Sequence, residues 1–503
     1  MPTRSSDILV IGGGVNGLAC AARLAAKGRK VTLLEAADTV GGGAGAREFA
    51  PGYRAPALAH LTQGLDPRMA AGMDLVRHGL EFHPGLATTV LSGGDPLVVR
   101  GGTAEGPDSS AFAALHAKLS AFARVLAPFR QLTAPRLGAG NRWGGFLRHG
   151  LGVRALGRDD FRELLRMILI NVHDVAEDEL TDDRLKGLLA FDATLGAWLG
   201  PRSPNSLILY LDRLARGVDP LLPKGGMGAL AVALGRAAEA AGVSLRTGAR
   251  VAQVLVEGDR ACGVALEGGE EVRAGLVVSA MNPRVTFQAL VGAQALDAGF
   301  FKRTHHIRSR GGAAKLHLAL KGAPGFAADL RSRLVIVASH DAVEAAFNPV
   351  KYGEVPEAPV MEVILPSAHE PGHAPEGGHV ISAIVQFAPH APKARAEAAR
   401  EAMLEASLRV LEAQAPGLRG LVVGAEMLMP YDIEDLFGMV GGNWHHGELA
   451  VEQMLFNRPM AEMAQYATPV PGLWLAGAGS HPGGGINGAA GWNAAGAILE
   501  ARA

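Results

Sequence analysis

Residues 8–21, ILVIGGGVNGLACA, place an apolar run directly before a glycine-rich loop and a series of small residues. The run that ends at Ile11 is typical of a buried parallel strand, and the loop from Gly12 to Gly17 has the spacing G-x-G-x-x-G. Glycines at this spacing permit a tight turn, close approach of the backbone to a pyrophosphate, and close packing of a helix on a strand. The stretch therefore predicts a strand, a loop and a helix that bind a dinucleotide at the helix N-terminus.

A second strand pattern, KVTLLE at residues 30–35, ends in an acid. Glu35 stands at the distance expected for a carboxylate that accepts hydrogen bonds from a ribose, which favours FAD or NAD over a 2′-phosphorylated nucleotide. A tight packing turn in an unrelated α/β domain is the alternative to dinucleotide binding. The predicted contacts in this part of the chain are Gly12, Gly14, Val15, Asn16, Gly17, Glu35 and Ala36.

Three glycines at residues 41–43 follow the acid. Many flavoproteins carry E-x5-G-G-R at this point, with the two glycines close beneath the cofactor. The pattern favours FAD over NAD and predicts cofactor contacts from Gly42 and Gly43. Gly43 also stands where the arginine of the pattern would be, so no arginine contact to a phosphate is expected from this position.

The charge balance gives no electrostatic reason to expect a nucleic acid or an anionic membrane surface as partner, since 48 Lys and Arg stand against 49 Asp and Glu. Only Cys20 and Cys262 occur, which excludes a disulfide framework and favours a reducing compartment. The N-terminus leaves no room for a leader before the first strand, and no apolar run approaches the roughly 20 residues of a spanning helix. We expect a cytoplasmic protein; membrane association is not indicated, and the oligomeric state stays open.

The length of 503 residues predicts two or more domains. Residues 223–283 show a helix, a short strand, a hairpin and a buried strand, which indicates either a second piece of the dinucleotide domain, with Val251 at the adenine side, or an independent α/β insertion. Residues 86–222 are mainly helical in pattern. We predict an α/β fold: a Rossmann-like FAD-binding domain interleaved with an α+β substrate domain. The FAD-binding domain covers residues 1–85, 223–304 and 441–503, and the substrate domain covers residues 86–222 and 305–440.

A second glycine-rich stretch, LAGAGSHPGGGINGAAGWNAAG, occupies residues 475–496. A strand pattern precedes it, and a helix of small residues ends it. A glycine-rich C-terminal packing turn is the alternative interpretation of the stretch alone. Paired with Glu35 and the front loop, it favours the other half of one cofactor site.

Four stretches together resemble the phytoene desaturase-related FAD-dependent oxidoreductases, and within them the subgroup of pyridine nucleotide-disulphide oxidoreductase domain-containing protein 2. They are FDATLGAWLGPRSPNS (191–206), PKGGMGALAVAL (223–234), GGNWHHGELAVEQMLFNRPM (441–460) and PGLWLAGAGSHPGGGINGAAGWNAAGAIL (471–499). The resemblance implies the amine oxidase and phytoene desaturase fold, with FAD between two domains. It leaves the substrate open, because the wider family includes carotenoid desaturases, retinol saturases and amine oxidases. No redox-active C-x-x-C occurs.

The resemblance also implies roles for the C-terminal stretch, whose helix would begin beneath the isoalloxazine ring and stabilise charge on the reduced flavin. Gly479 and Ser480 would lie along the pyrophosphate and ribityl chain, where many flavoproteins have Gly-Asp. Gly488 and Ala489 would offer backbone N–H groups to the ring, and Asn487 completes the predicted contacts.

Three residues are candidates for chemistry. Lys315 stands where amine-oxidase relatives place a lysine that holds water at flavin N5, although a strand lysine that reaches solvent would give the same pattern. His445 and His446 lie in a family motif that faces the flavin or the cavity, and a structural hydrogen-bonding role suits them equally. No metal site is predicted. Hydride transfer to a flavin can proceed without a strong acid or base, because the cofactor supplies the difficult chemistry.

The function predicted first is oxidation or desaturation of a small apolar organic substrate by hydride transfer to flavin N5, with oxygen or a quinone as electron acceptor. The Leu, Ala, Val and Met content suits an aliphatic tunnel, and only five Tyr are available for an aromatic cage. Two alternatives remain. One is a flavin amine oxidase, and the other is an FAD-bound interaction protein with little turnover.

Overall fold

The computed structural model describes residues 6–135 and 143–501; residues 1–5, part of the N-terminus used to predict the compartment, lie outside this range. The strands are β1 Ser6–Ile11, β2 Val31–Leu34, β3 Ala46–Ala50, β4 Tyr53–Pro56, β5 Thr88–Leu91, β6 Leu97–Arg100, β7 Thr103–Ala104, β8 Ser244–Arg246, β9 Val251–Glu257, β10 Arg260–Leu266, β11 Glu271–Ser279, β12 Ala313–Leu320, β13 Arg333–Ile336, β14 Val360–Ile364, β15 His379–Gln386, β16 Val422–Leu428 and β17 Leu473–Leu475.

The α-helices run between these strands and are concentrated in the region between β7 and β8. They are α1 Val15–Ala25, α2 Pro67–Gly72, α3 Ser109–Leu126, α4 Trp143–Arg154, α5 Arg158–Leu169, α6 Val172–Glu179, α7 Asp183–Thr194, α8 Leu207–Leu214, α9 Met227–Ala240, α10 Ala298–His305, α11 His340–Val350, α12 Pro366–His369, α13 Ala396–Gln414, α14 Leu418–Leu421, α15 Pro430–Phe437 and α16 Ala489–Ala501.

The first sheet has the strand order β8-β2-β1-β11-β10-β9, and β17 pairs with β11. Strands β8, β2, β1, β11 and β17 are parallel, and β9 to β11 form an antiparallel meander. Ile8 and Val10 of β1 pack into the core that contains α1 and α9, while Leu9 and Ile11 pack into the core on the other side. Burial on both faces explains why β1 reads as one continuous apolar run. The predicted α/β, Rossmann-like fold is confirmed.

Helix α1 lies between α9 and α16, and small residues let these helices approach closely. A Cβ at Gly491 of α16 would lie 1.9 Å from the carbonyl oxygen of Asn16 in α1. The two glycine-rich stretches, one at each end of the chain, therefore meet at the N-termini of α1 and α16.

The second sheet has the order β16-β12-β15-β14-β13-β5-β6-β7. Leu316 and Leu318 of β12 pack with α13 on one face, so Lys315 and His317 point to the opposite face. The prediction that residues 86–222 are mainly helical is incomplete, because this segment begins with β5 to β7, which extend the sheet. All four residues of β5 are buried. A run this short and uniformly buried has no periodicity that distinguishes a strand from a helix.

The sheets draw on separate parts of the chain. The first takes its strands from residues 6–34, 244–279 and 473–475, and the second from residues 88–104 and 313–428. The exact domain limits given above stay predictions. In the described ranges, no helix is long and apolar enough to cross a membrane.

Candidate active site

The front loop leaves an open space at the N-terminus of α1. Gly12 has a φ of +98°. Gly14, the residue before the helix, has no side chain, so the first N–H groups of α1 are not capped by this residue. A Cβ at Gly17 would lie 1.9 Å from the carbonyl oxygen of Gly12, whereas a Cβ at Gly14 would meet no atom within 4 Å. Gly17 is therefore required by packing. Gly14 borders a space next to the free N–H groups of the first helical turn, which suits phosphate oxygens.

The carboxylate of Glu35 is fixed beside this space by two backbone donors. The N–H of Gly13 donates to Oε2 at 2.6 Å, and the N–H of Ala37 donates to Oε1 at 2.8 Å. Each carboxylate oxygen keeps a further lone pair. Glu35 is therefore held in place and can still accept hydrogen bonds from ribose hydroxyls.

The glycines of residues 41–43 pack directly on the front loop. The N–H of Gly41 donates to the carbonyl of Gly13 at 2.8 Å, and a Cβ at Gly42 would lie 3.3 Å from the Cα of Gly14. Gly41 and Gly42 have positive φ angles of 123° and 54°. The two loops thus form one wall with little side-chain bulk, as a bound cofactor requires.

A cavity of about 880 Å³ is lined by this wall and by residues from the second sheet and its helices. Most of the predicted site residues line it: Gly12, Gly14, Val15, Asn16, Gly17, Glu35, Ala36, Gly42, Gly43, Val251, His445 and His446. Others that were predicted do not line it: Gly479, Ser480, Asn487, Gly488, Ala489 and Lys315.

The C-terminal stretch faces the cavity through residues other than those predicted, namely Ala478, Gly484, Gly485 and Ile486. The N–H of Ala489 donates to Asn487 Oδ1 at 2.8 Å. Asn487 in turn donates to the carbonyl of Gly484 at 3.0 Å. Asn487 therefore shapes the loop before α16, and the contact from the Ala489 N–H to the flavin stays a prediction.

Gly479 and Ser480 lie behind the cavity wall. A Cβ at Gly479 would lie 2.5 Å from Pro283 Cδ, so this glycine is needed for packing. Ser480 is buried, and its hydroxyl has no hydrogen-bond partner among the described residues. A contact between Ser480 and the ribityl chain stays a prediction.

His445 is buried and His446 is half-buried at the cavity wall. Trp444 Nε1 donates to His445 Nε2 at 3.1 Å, and neither histidine has a partner for Nδ1 among the described residues. Burial lowers the pKa of His445 well below its usual value, and burial with the nearby Arg458 lowers the pKa of His446 to about 4. Both imidazoles are therefore neutral near pH 7, which suits hydrogen bonding.

Lys315 is buried within the second sheet instead of reaching solvent, with only 1% of its surface exposed. Its Nζ lies 2.9 Å from Nδ1 of His60, and His60 lines the cavity. The other ring nitrogen, Nε2, lies 2.8 Å from Glu362 Oε1, and Nδ1 also lies 3.1 Å from the carbonyl oxygen of Ser382, so both ring nitrogens have hydrogen-bond partners. Lys315 therefore contacts the cavity through His60.

This environment changes the pKa values of both bases. Burial lowers the pKa of Lys315 from 10.5 to about 7, and the carboxylate of Glu362 partly opposes the change. Burial and the neighbouring Lys315 lower the pKa of His60 to about 4. A buried lysine with a pKa near neutrality can take up a proton from a substrate.

A chain of buried ion pairs continues from Glu362. Arg333 contacts both Glu362 and Asp192, and Arg213 Nη1 lies 2.9 Å from Asp192 Oδ1. Burial alone would raise the pKa of Glu362, but Arg333 and His60 lower it well below its usual range. Glu362, Asp192 and Arg213 all line the cavity, so one of its walls is charged.

The sequence did not single out His60, Glu362, Asp192 or Arg213. His60 and Glu362 are 302 positions apart, and Asp192 and Arg333 are 141 positions apart. Isolated polar residues in apolar strands and helices are the only local signal, and such residues are frequent without any function. Only the fold brings these groups together.

None of the five tyrosines lines the cavity. Its aromatic side chains are those of Trp198, Phe437 and Trp444, besides the histidines. Among the described residues, one group of three has metal-ligand spacing, namely His173, His340 and Asp341, which does not line the cavity. Arg202 Nη2 lies 2.8 Å from His173 Nε2 and 2.9 Å from Asp341 Oδ1, so a guanidinium already contacts these ligand atoms.

The parallel sheet carries a glycine loop and an acid at the end of its second strand, and its cavity is shared with a second sheet. Together these features define an FAD-dependent oxidoreductase of the amine oxidase type. The chain belongs to the flavin-containing amine oxidoreductase family, which it matches over residues 16–499. Its cofactor is FAD. The residues fit this group, because Gly14 leaves space for phosphate and Glu35 keeps free acceptor positions for a ribose.

The chain is similar to several known proteins over nearly its whole length. It is 31% identical to pyridine nucleotide-disulfide oxidoreductase domain-containing protein 2 of Rattus norvegicus, over 97% of this chain and 92% of the relative. It is 28% identical to a neurosporene-forming phytoene desaturase of Cereibacter sphaeroides, over 97% and 94% of the two chains. An oxidoreductase structure from Methanosarcina mazei shares the fold, with a TM-score of 0.61 at 17% identity over 98% and 99%.

Proposed function

We propose that this protein oxidises or desaturates an organic substrate with FAD as the immediate electron acceptor. The observation that carries the proposal is the shared cavity, which is lined both by the front loop with Glu35 and by His60, Glu362 and Trp198. A bound cofactor and a substrate can therefore lie in one shared cavity. Oxygen or a quinone is the electron acceptor that we expect to complete the cycle.

When bound, FAD supplies a ring whose N5 can accept a hydride from a substrate C–H bond. The residues of this chain position the substrate, exclude water and take up the second hydrogen, which leaves as a proton. The positive end of α16, which begins at Ala489 beside the cavity loop, favours negative charge in its neighbourhood.

We assign the proton to Lys315, which His60 positions. His60 lines the cavity, and Lys315 Nζ lies 2.9 Å from its Nδ1. Both ring nitrogens of His60 are already hydrogen-bonded, so the ring orients the amine of Lys315, whose pKa of about 7 lets it take up a proton near neutral pH. Glu362, which contacts His60 Nε2, keeps the ring in the required orientation.

A flavin amine oxidase is the second candidate, because Lys315 lies on the cavity side of β12 and the family includes amine-oxidising members. The phytoene desaturases among the relatives instead favour dehydrogenation of carbon–carbon bonds. No tyrosine cage lines the cavity, which argues against the amine candidate. An FAD-bound interaction protein with little turnover is the third candidate.

The experiment is anaerobic mixing of the FAD-loaded protein with panels of apolar compounds, amines, alcohols and carboxylic acids. Loss of the flavin absorption band identifies the substrate class. Rapid reduction by one compound supports an enzyme and excludes the interaction protein. If no compound in any panel reduces the flavin, the proposal is wrong.

A further inference from the structure

Buried arginines and carboxylates form ion pairs beside one end of the cavity. Four arginines share three carboxylates in these pairs. The arginines are Arg333, Arg213, Arg130 and Arg216, and the acids are Asp192, Glu362 and Asp212. Each arginine and acid of this set has a side chain at most 14% exposed. Buried charge without a partner is costly, so such an excess is typical of a site that binds an anion.

The excess is concentrated at Arg216. Its only partner among the described residues is Asp212: Nε donates to the carbonyl at 3.3 Å, and Nη2 lies 3.2 Å from Oδ2. Arg130 contacts the same carboxylate, so two guanidinium groups share one acid. Arg216 Nη1 has no acceptor within the described ranges.

The free end of Arg216 points to the glycine loop that precedes α16. A Cβ at Gly485 would lie 1.7 Å from Arg216 Nη1, so any side chain at Gly485 would displace the guanidinium. Arg216 and Gly485 both line the cavity. Absence of a side chain at position 485 therefore keeps this cation in the cavity.

Arg213 provides a second cation on the same wall. It lies one helical turn before Arg216 and also lines the cavity, as does Leu209, a further turn back along α8. Arg213 shares Asp192 with Arg333, and Arg333 also contacts Glu362, so these two arginines are paired with two carboxylates. Apolar side chains complete the wall, including Leu61, Leu199 and Ile384.

We propose that Arg216, assisted by Arg213, binds the carboxylate of the substrate, which makes the substrate an organic acid with an apolar body. A guanidinium matches a carboxylate in shape and charge, and can donate to both of its oxygens. The inference rests on the proposed function, since it places the substrate in the cavity shared with FAD. It adds an acidic group to the apolar organic substrate predicted from the sequence.

The test uses the FAD-loaded protein and two matched probes, hexanoate and hexanamide, which differ in charge at one end. Each probe is titrated while the flavin absorption spectrum is followed, so binding is measured without turnover. We expect hexanoate to perturb the spectrum at saturable concentrations and hexanamide to bind much more weakly. Arg216→Met should weaken hexanoate binding by about 30-fold or more, because a buried carboxylate would lose its partner. Arg216→Lys should restore part of the affinity, and Arg409→Met, on an exposed helix face, should change nothing.

Two results would overturn the proposal. One is equal affinity for hexanoate and hexanamide. The other is an Arg216→Met variant that binds FAD more weakly, or has a shifted flavin reduction potential, while its affinity for hexanoate is unchanged; Arg216 would then serve the cofactor. If Arg216→Met does not fold, the wild-type comparison and Arg216→Lys still decide. The protein could bind hexanoate although no compound reduces its flavin. This result would support the anion site and would contradict only the proposed function.

Discussion

Nζ of Lys315 lies 2.9 Å from Nδ1 of His60, although 255 positions separate the two residues. Lys315 is in the middle of a fully buried strand, whereas His60 is in the loop that follows β4 and lines the cavity. The pair connects the interior of the second sheet to the space where substrate and cofactor meet. The role of this pair can be tested by replacing Lys315.

Lys315→Met should slow flavin reduction by about 10²- to 10⁴-fold, because the amine that takes up the proton is lost. Methionine fills a similar volume, so FAD binding and folding should be retained. The rate is measured by anaerobic stopped flow with the compound found in the panel. Lys321→Met, which alters an exposed lysine just past the same strand, is the control. An unchanged rate in Lys315→Met would show that the lysine takes no part.

The rate of flavin reduction should rise with pH and level off above about 7. The pKa of Lys315 is lowered to about 7 by burial, so the amine is protonated below this pH and cannot accept a further proton. Above it, the neutral amine is available. The measurement is the reduction rate in wild type and in Lys315→Met across pH 5 to 9. A wild-type profile that falls with pH, or a step that persists in the variant, would exclude Lys315 as its cause.

Gly14→Ala should weaken FAD binding and leave folding almost unchanged. A Cβ at Gly14 meets no protein atom within 4 Å and enters the space assigned to phosphate, and the backbone there has φ −71°, which alanine adopts freely. Gly17→Ala is the contrasting variant, because its Cβ would lie 1.9 Å from Gly12 O and should destabilise the fold by about 2 kcal/mol or more. Thermal unfolding of the apoproteins and FAD titrations check both. Equal FAD affinity in Gly14→Ala and wild type would place the phosphates elsewhere.

Glu35→Gln should lower the affinity for FAD by about 10- to 100-fold, since hydrogen bonds to a charged acceptor each contribute about 1.5–3 kcal/mol. The amide can still accept one backbone hydrogen bond, so only a small loss of stability is expected. Quenching of flavin fluorescence on binding gives the dissociation constant. Glu48→Gln, at an exposed position, serves as the control. The assignment fails if the two variants bind FAD equally well.

Asp192→Asn should reduce the free energy of unfolding by about 3–5 kcal/mol, because Arg333 and Arg213 would lose a shared buried carboxylate. Asp341→Asn removes an acid whose side chain is 64% exposed, and it should cost less than about 1 kcal/mol. Urea unfolding of the two variants gives the comparison. Similar losses in both would mean that the buried chain of ion pairs contributes little.

The sequence predicted the first sheet closely, because its elements have strong local signals. The apolar run of β1, the glycines before α1 and the turn between β9 and β10 each determine a local structure. The same holds for Glu35, which follows β2 directly. Such features can be recognised before any tertiary contact is known.

The polar half of the site could not be predicted in this way. His60, Glu362 and Asp192 acquire their environment only from packing, and the pKa values of His60 and Glu362 depend on burial and on neighbouring charges that composition does not reveal. The C-terminal loop lines the cavity through Gly484, Gly485 and Ile486, whereas Asn487 turns back on Gly484 and accepts from the Ala489 N–H. A family pattern locates such a loop, and side-chain hydrogen bonds decide which of its atoms face the cavity.

The most direct test of the central claim is single-turnover reduction of the FAD-loaded protein by the panel compound, with and without deuterium at the reacting carbon. The account predicts complete loss of the flavin absorption band with one FAD per chain, and slower loss with the deuterated compound because the C–H bond breaks as the flavin is reduced. A protein that holds a full complement of FAD and is reduced by no compound in any panel would contradict it.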